Sequence, residues 1–130
     1  MKYLYIALMG LMGASLRLGI DAICPASGIP LGTLIVNIIG SFSLVLVYGV
    51  VKQKSKLSPN MIAGLGTGFL GSFTTISGVC GNAITAIQDG SYVLACENIL
   101  LNMIVTFLAA MAAMMVNNML LYRKGLAHND

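Results

Sequence analysis

Charge is what this sequence has least of. Only 8% of its 130 residues are Asp, Glu, Lys or Arg, against roughly 25% in a soluble globular domain. Hydrophobic types make up 58% and the mean hydropathy is +0.91. That balance excludes an ordinary water-soluble fold. Tryptophan is absent, and the one histidine, His128, lies in the polar tail. The acids are scattered at Asp21, Asp89, Glu97 and Asp130, so no cluster exists to run acid–base or nucleophilic catalysis. The three cysteines, Cys24, Cys80 and Cys96, are odd in number and lack CxxC spacing. Neither a disulfide framework nor a metal site is implied. The sequence does not read as an enzyme.

What is present is apolar length. Residues 22–51, 57–88 and 98–122 contain no charge at all. A helix needs about 20 apolar residues to cross the hydrocarbon, which places four spans at about 3–22, 31–51, 60–87 and 92–122. The expectation is an all-α membrane protein, residues 1–130 forming one four-helix transmembrane domain. Lys2 with the apolar run behind it resembles a signal peptide. The run continues past Arg17 without a cleavage context, so it reads as the first span.

Four spans put both termini and the 52–59 loop on one side. Lys2, Lys52, Lys54, Lys56, Arg123 and Lys124 fall there, while Arg17 is the cation nearest the other side. By the positive-inside rule both termini are expected in the cytoplasm, in the plasma membrane of a prokaryote. This bias predicts insertion in one orientation.

Polar residues inside the spans are patterned. Thr33, Asn37 and Ser41 stand four apart in the second span, and Asn98, Asn102 and Thr106 do so in the fourth. Residues four apart share a helical face, so each helix carries a polar stripe. Such side chains often only hydrogen-bond helices together, but two stripes favour a hydrated pathway. The third span holds Gly64, Gly66, Gly68, Gly71, Gly78 and Gly81. Gly64 and Gly68 fit a small-residue packing motif. The following Gly71-Ser72-Phe73-Thr74-Thr75 reads instead as a helix break, its hydroxyls able to satisfy freed backbone groups. Irregular backbone at that depth is tolerated where protein or a water-filled cavity surrounds it, and broken helices commonly form ion sites.

Three stretches resemble one family. "GLMGASLRLG" (10–19), "GTLIVNIIGSF" (32–42) and "GTGFLGSFTTIS" (66–77) are similar, in order and spacing, to the Gly-Ala-x-x-Arg, Gly-Thr-x-x-Val-Asn and TTFS motifs of the Fluc (CrcB) fluoride channels. The resemblance implies an antiparallel dimer with a central structural Na+ and two fluoride pores. The carbonyls of Gly71 and Thr74 would bind the sodium with their partner-chain counterparts. Asn37 would be the pore asparagine, with Thr33 one turn before it. Thr106 falls on the polar track, Asn102 and Ser77 join the fluoride pathway, and Arg17 would sit near the vestibule.

The departures are specific. The family pattern TTFSTF is here Thr74-Thr75-Ile76-Ser77-Gly78-Val79, so Ile76 and Val79 replace both phenylalanines of the pore. Phe73 lies three positions too early to substitute, and Ala110 follows Thr106 where a hydroxyl is expected. With the one-sided charge, this resembles one subunit of a heterodimer whose oppositely oriented paralogue supplies the phenylalanines, rather than a dual-topology homodimer. Fluoride would leave the cytoplasm by passive conduction, since no Asp, Glu or His lies in the central part of any span to relay protons. Two rival readings remain: a non-conducting assembly or regulatory subunit, and a small multidrug-type exporter. The exporters resemble one another in a glutamate within the first span, and residues 3–16 hold no acid.

Overall fold

A computed structural model describes residues 2–24, 29–51 and 57–126 of the chain. Lys52, Lys54, Lys56 and His128, which enter the charge argument and the tail, lie outside the described residues. Helix α1 runs Lys2–Ile23 and α2 Leu31–Leu46, continuing into a π-helical end at Val47–Val51. The third span starts as α3, made of Pro59–Ala63, a π-helical stretch Gly64–Leu70, and a final turn Gly71–Phe73. It resumes as α4, Ile76–Gln88, and α5 spans Tyr92–Leu126. Four stretches are long and apolar enough to cross a membrane: Lys2–Ile23, Leu31–Gly49, Pro59–Gln88 and Tyr92–Tyr122. There is no strand among the described residues. The expected four-helix layout and the break in the third span are both present.

Local chemistry sets the helix ends. Ser58 caps α3, its hydroxyl accepting from the Met61 N–H at 3.3 Å, and Pro59 takes the first helical position, where a missing N–H costs nothing. Between α4 and α5, Gly90 adopts φ +76°. The Ser91 N–H donates to the Ala86 carbonyl and the Gly90 N–H to that of Ile87. This is a Schellman turn, which needs a residue tolerant of positive φ. It folds α5 back onto α4 through a seam of Ala83, Ala86 and Ala95.

Glycines decide how closely the spans approach. A Cβ on Gly13 would collide with the Phe69 carbonyl, and one on Gly68 would stand 2.5 Å from the Ile6 carbonyl. Gly64 faces Tyr5 at 3.3 Å. The small-residue motif therefore seats α3 directly on α1, backbone against backbone. Both π-helical stretches occur where a glycine receives a side chain from another span. Gly49 lies under the Asn117 amide, and Gly66 under the Tyr48 ring. Asn117 also donates to the Val45 carbonyl at 2.9 Å.

Outside these seams the surface is apolar. Leu4, Leu8, Leu11, Leu18, Phe107 and Met115 are each more than half exposed, a pattern that suits lipid or a partner subunit and not water.

Candidate functional site

The break is two residues long. Thr74 and Thr75 are extended, with φ/ψ of −75°/153° and −150°/119°. One of its two hydroxyls, that of Thr75, satisfies a freed backbone group; that of Thr74 adds to a carbonyl already paired with the Thr74 N–H. Thr74 Oγ1 donates to the Leu70 carbonyl at 3.0 Å, and Thr75 Oγ1 accepts from the Gly78 N–H at 2.8 Å to start α4.

The largest repair comes from another helix. Asn37 on α2 accepts from the Thr75 N–H at 2.7 Å and donates to the Thr75 carbonyl at 3.0 Å. Its amide thus pairs with one residue as a neighbouring strand would. In an unbroken helix the N–H groups of Thr75 and Gly78 would donate to the carbonyls of Gly71 and Thr74. Here both N–H groups are used elsewhere, so those two carbonyls are released from helical pairing. Gly71 is exposed on the subunit surface, and a Cβ there would meet only the Gly66 carbonyl at 3.7 Å.

A ladder of amides runs on from Asn37. Its Nδ2 also donates to Asn102 Oδ1 at 3.0 Å. Asn102 Nδ2 donates to the Asn98 main-chain and side-chain oxygens, each at 3.1 Å, and Asn98 Nδ2 donates to the Val79 carbonyl at 3.0 Å. All three asparagines are buried. The two polar stripes therefore meet each other across α2 and α5, and their inner members bind the helices together. Thr106 donates back to the Asn102 carbonyl within α5.

Beside this ladder lies a groove of ≈ 490 Å³, lined among others by Asn37, Ser41, Gly71, Thr74, Thr75, Ile76, Val79, Asn102, Met103 and Thr106. Among the described residues no Asp, Glu, Lys, Arg or His lines it. Of the sequence-predicted site residues, it brings together Asn37, Gly71, Thr74, Ile76, Val79, Asn102 and Thr106. Ile76 is 75% exposed, whereas Val79 is 3% exposed.

The remaining candidates lie elsewhere. Thr33 is buried, accepts from Asn82 Nδ2 at 3.0 Å, and lines a separate cavity of ≈ 260 Å³ with Asp21 and Gly32. Ser77 is exposed, its hydroxyl 3.0 Å from that of Thr75. Arg17 is half-buried, with a buried Nε that has no hydrogen-bond partner among the described residues. Sequence reasoning missed Asn82 as the partner of Thr33, and Met103 and Ile99 as walls of the groove. Asn82 stands between Gly78 and Ala86 on its helical face, so no polar period marked it.

Among the described residues no group of His, Cys, Asp and Glu could hold a metal ion. At the groove the carbonyls of Gly71 and Thr74 are released from helical pairing, while that of Thr75 accepts from Asn37.

Comparison with known proteins agrees with this geometry. The family model described as "CrcB-like protein, Camphor Resistance (CrcB)" matches residues 4–114. A protein of Listeria innocua serovar 6a named "Fluoride-specific ion channel FluC 2" is 34% identical over 130 residues, covering 100% of both chains. A Sulfurihydrogenibium sp. protein named "Fluoride-specific ion channel FluC" is 39% identical over 122 residues, 92% of this chain and 98% of its own. One from Shewanella piezotolerans, with the same name, is 40% identical over 102 residues, 76% of this chain and 82% of its own. With the match entering all four spans and the motif residues of the break gathered on one groove, the chain belongs to the CrcB family of ion channels.

Proposed function

We propose that the protein is a subunit of a fluoride-selective channel that lets cytoplasmic fluoride out by passive conduction. The observation that carries this is the groove at the break. It collects the motif residues Asn37, Thr74 and Thr75, and among the described residues no carboxylate or histidine that could couple flux to protons lines it. A negative interior drives an anion outward with about 2.3 kcal/mol per charge per 100 mV. A narrow track of hydrogen-bond donors discriminates by ion size and donor geometry, which favours small fluoride over chloride.

The working assembly in this reading is an antiparallel dimer, supported by Gly71 and Ile76, which line the groove and are exposed within the single chain. The released carbonyls of Gly71 and Thr74 would hold a structural Na+ together with the equivalent groups of the second subunit. Oxygen donors of that kind suit a hard cation. When bound, such an ion would supply positive charge beside the uncharged lining of the groove. This chain's own contribution is to hold the two carbonyls out of helical pairing: Asn37 takes the Thr75 N–H that would bind Gly71, and Thr75 Oγ1 takes the Gly78 N–H that would bind Thr74.

The partner in this reading is a paralogue inserted the other way. Support comes from the one-sided Lys and Arg distribution and from Ile76 and Val79 at the aromatic positions. Those same two residues favour, as a second reading, a subunit that assembles the channel without conducting through its own groove.

Reconstitution into liposomes tests the proposal, with efflux followed by fluoride- and chloride-selective electrodes. The expected result is fluoride efflux with essentially no chloride efflux, once the paralogue is present. Comparable chloride efflux would overturn selectivity. Fluoride efflux insensitive to substitutions in this chain's groove would favour the assembly-only role.

A further inference from the structure

We propose that Asn102 sets the anion specificity of the groove, its side-chain carbonyl occupying in the resting state the place that the permeant ion takes at Asn37. The inference rests on the fluoride-conducting reading above.

The orientation of both amides is forced by main-chain partners. Asn37 faces a carbonyl and an N–H of the same residue, Thr75. Its Nδ2 must therefore lie on the carbonyl side and its Oδ1 on the N–H side. Asn102 points one end at the Asn98 main-chain carbonyl, which accepts only, so that end is Nδ2. Asn102 Oδ1 is then left facing the second N–H of Asn37, at 3.0 Å.

Both protons of Asn37 Nδ2 are thus engaged inside the subunit, one by Thr75 and one by Asn102. An anion reaching Asn37 must displace one of these acceptors. Displacing Thr75 would open a paired contact and release the break. Displacing Asn102 Oδ1 gives up a single bond between two groups that both line the groove. Asn102 is meanwhile anchored by its own Nδ2 to two oxygens of Asn98. Its carbonyl therefore stays within reach and recovers the Asn37 proton when the anion moves on. The exchange is one of hydrogen-bond partners, with no covalent change.

This arrangement discriminates. An empty donor buried away from water is costly, and Asn102 Oδ1 removes that cost between ions. It also sets a threshold, because the incoming anion must be a better acceptor than an amide oxygen. Fluoride, with its charge on a small atom, forms a short charge-assisted bond and passes the threshold. Chloride, larger and a weaker acceptor, does not.

The test uses Asn102→Leu, a near-isostere without an acceptor, and Asn102→Asp, which carries a stronger one. Each is prepared in the assembly that conducts fluoride, and its elution on size exclusion is compared with the parent. If Asn102→Leu fails to assemble, Asn102→Ala takes its place. The half-saturating fluoride concentration for efflux and the calorimetric response to sodium fluoride are measured, with sodium chloride in parallel. The expected result is a several-fold lower half-saturating fluoride concentration and measurable chloride efflux for Asn102→Leu, and a several-fold higher value for Asn102→Asp. A packing role for Asn102 would move both variants in the same direction. That outcome, or unchanged values in both, overturns the proposal while the channel reading stands. No fluoride efflux from the unsubstituted assembly overturns the channel reading and this inference together.

Discussion

Asn37 and Thr75, on different spans, are joined by a pair of hydrogen bonds, the Thr75 N–H to Asn37 Oδ1 at 2.7 Å and Asn37 Nδ2 to the Thr75 carbonyl at 3.0 Å. This contact lets a helix stop within a span with both the N–H and the carbonyl of Thr75 paired. Open backbone groups in hydrocarbon are the main obstacle to any broken span, and one neutral side chain satisfies both. It also explains why an asparagine stands there. Leucine offers no hydrogen bond, and aspartate offers acceptors only.

The first prediction follows from that pair. Asn37→Leu strands one buried donor, the Thr75 N–H, and two buried acceptors, the Thr75 carbonyl and Asn102 Oδ1, each at a cost of about 1–3 kcal/mol. A fall of about 3 kcal/mol in stability is expected on that scale, read as a lower midpoint in thermal unfolding of the detergent-solubilised protein. Asn37→Asp keeps the acceptor for the Thr75 N–H and should fall between leucine and the parent. An Asn37→Leu protein as stable as the parent would show that the clamp does not hold the break.

The second concerns the seam of α1 on α3. Gly13 has the Phe69 carbonyl where a Cβ would go, and backbone cannot give way as a side-chain tip can. Gly13→Ala is therefore expected to lower the unfolding midpoint sharply and reduce the yield of folded protein. Gly81 offers the contrast, with nothing within 4 Å of where a Cβ would stand. Gly81→Ala should leave the subunit's own stability unchanged or raise it by up to about 1 kcal/mol through helix propensity. Equal effects at the two positions would mean that close approach is not what Gly13 provides.

Much of this is legible in the amino-acid sequence alone. The spans follow from charge-free runs, because lipid tolerates so few charges that their positions mark the boundaries. The break follows from Gly71 and the hydroxyls around it. The engagement of the donors is not legible. Asn37 and Thr106 look like open donors in sequence, but both give their protons to oxygens in the subunit, and the carbonyls involved are set by helix packing that no local pattern encodes. Spacing groups Thr33 with Asn37, yet Asn82 draws it into another cavity. The π-helical stretches also escape, since no local pattern marks the side chains from other spans that rest on Gly49 and Gly66 within them.

Gly71 separates folding from assembly. Within the subunit its side is open, the nearest atom to a Cβ being the Gly66 carbonyl at 3.7 Å. Gly71→Leu should therefore fold with unchanged helical content by circular dichroism. In the proposed dimer the same surface carries the cation-binding carbonyls, so the variant should fail to assemble or to conduct. Dimer formation by size exclusion and fluoride efflux would both be measured. A normally assembled, fully conducting Gly71→Leu channel would count against the site.

The most exposed prediction is orientation. Lys2, Lys52, Lys54, Lys56, Arg123 and Lys124 share one side of a four-span chain, and Arg17 is the cation toward the other. Arg17 lies within α1, so it adds little to the outer loops that the positive-inside rule weighs. Each Lys or Arg resists transfer by roughly 2.5–3.5 kcal/mol at a helix centre on insertion scales, and inverting the chain would carry the whole set across. Both termini are expected in the cytoplasm in essentially every copy. An antiparallel dimer of this chain alone would then be rare, and fluoride efflux should require co-expression with an oppositely inserted paralogue. Reporter fusions at the C-terminus, one active only inside and one only outside, would read the orientation. Efflux from vesicles holding this chain alone would be compared with vesicles holding the pair. Signal from both reporters, together with full efflux from the single chain, would make it a dual-topology homodimer and remove the need for a partner.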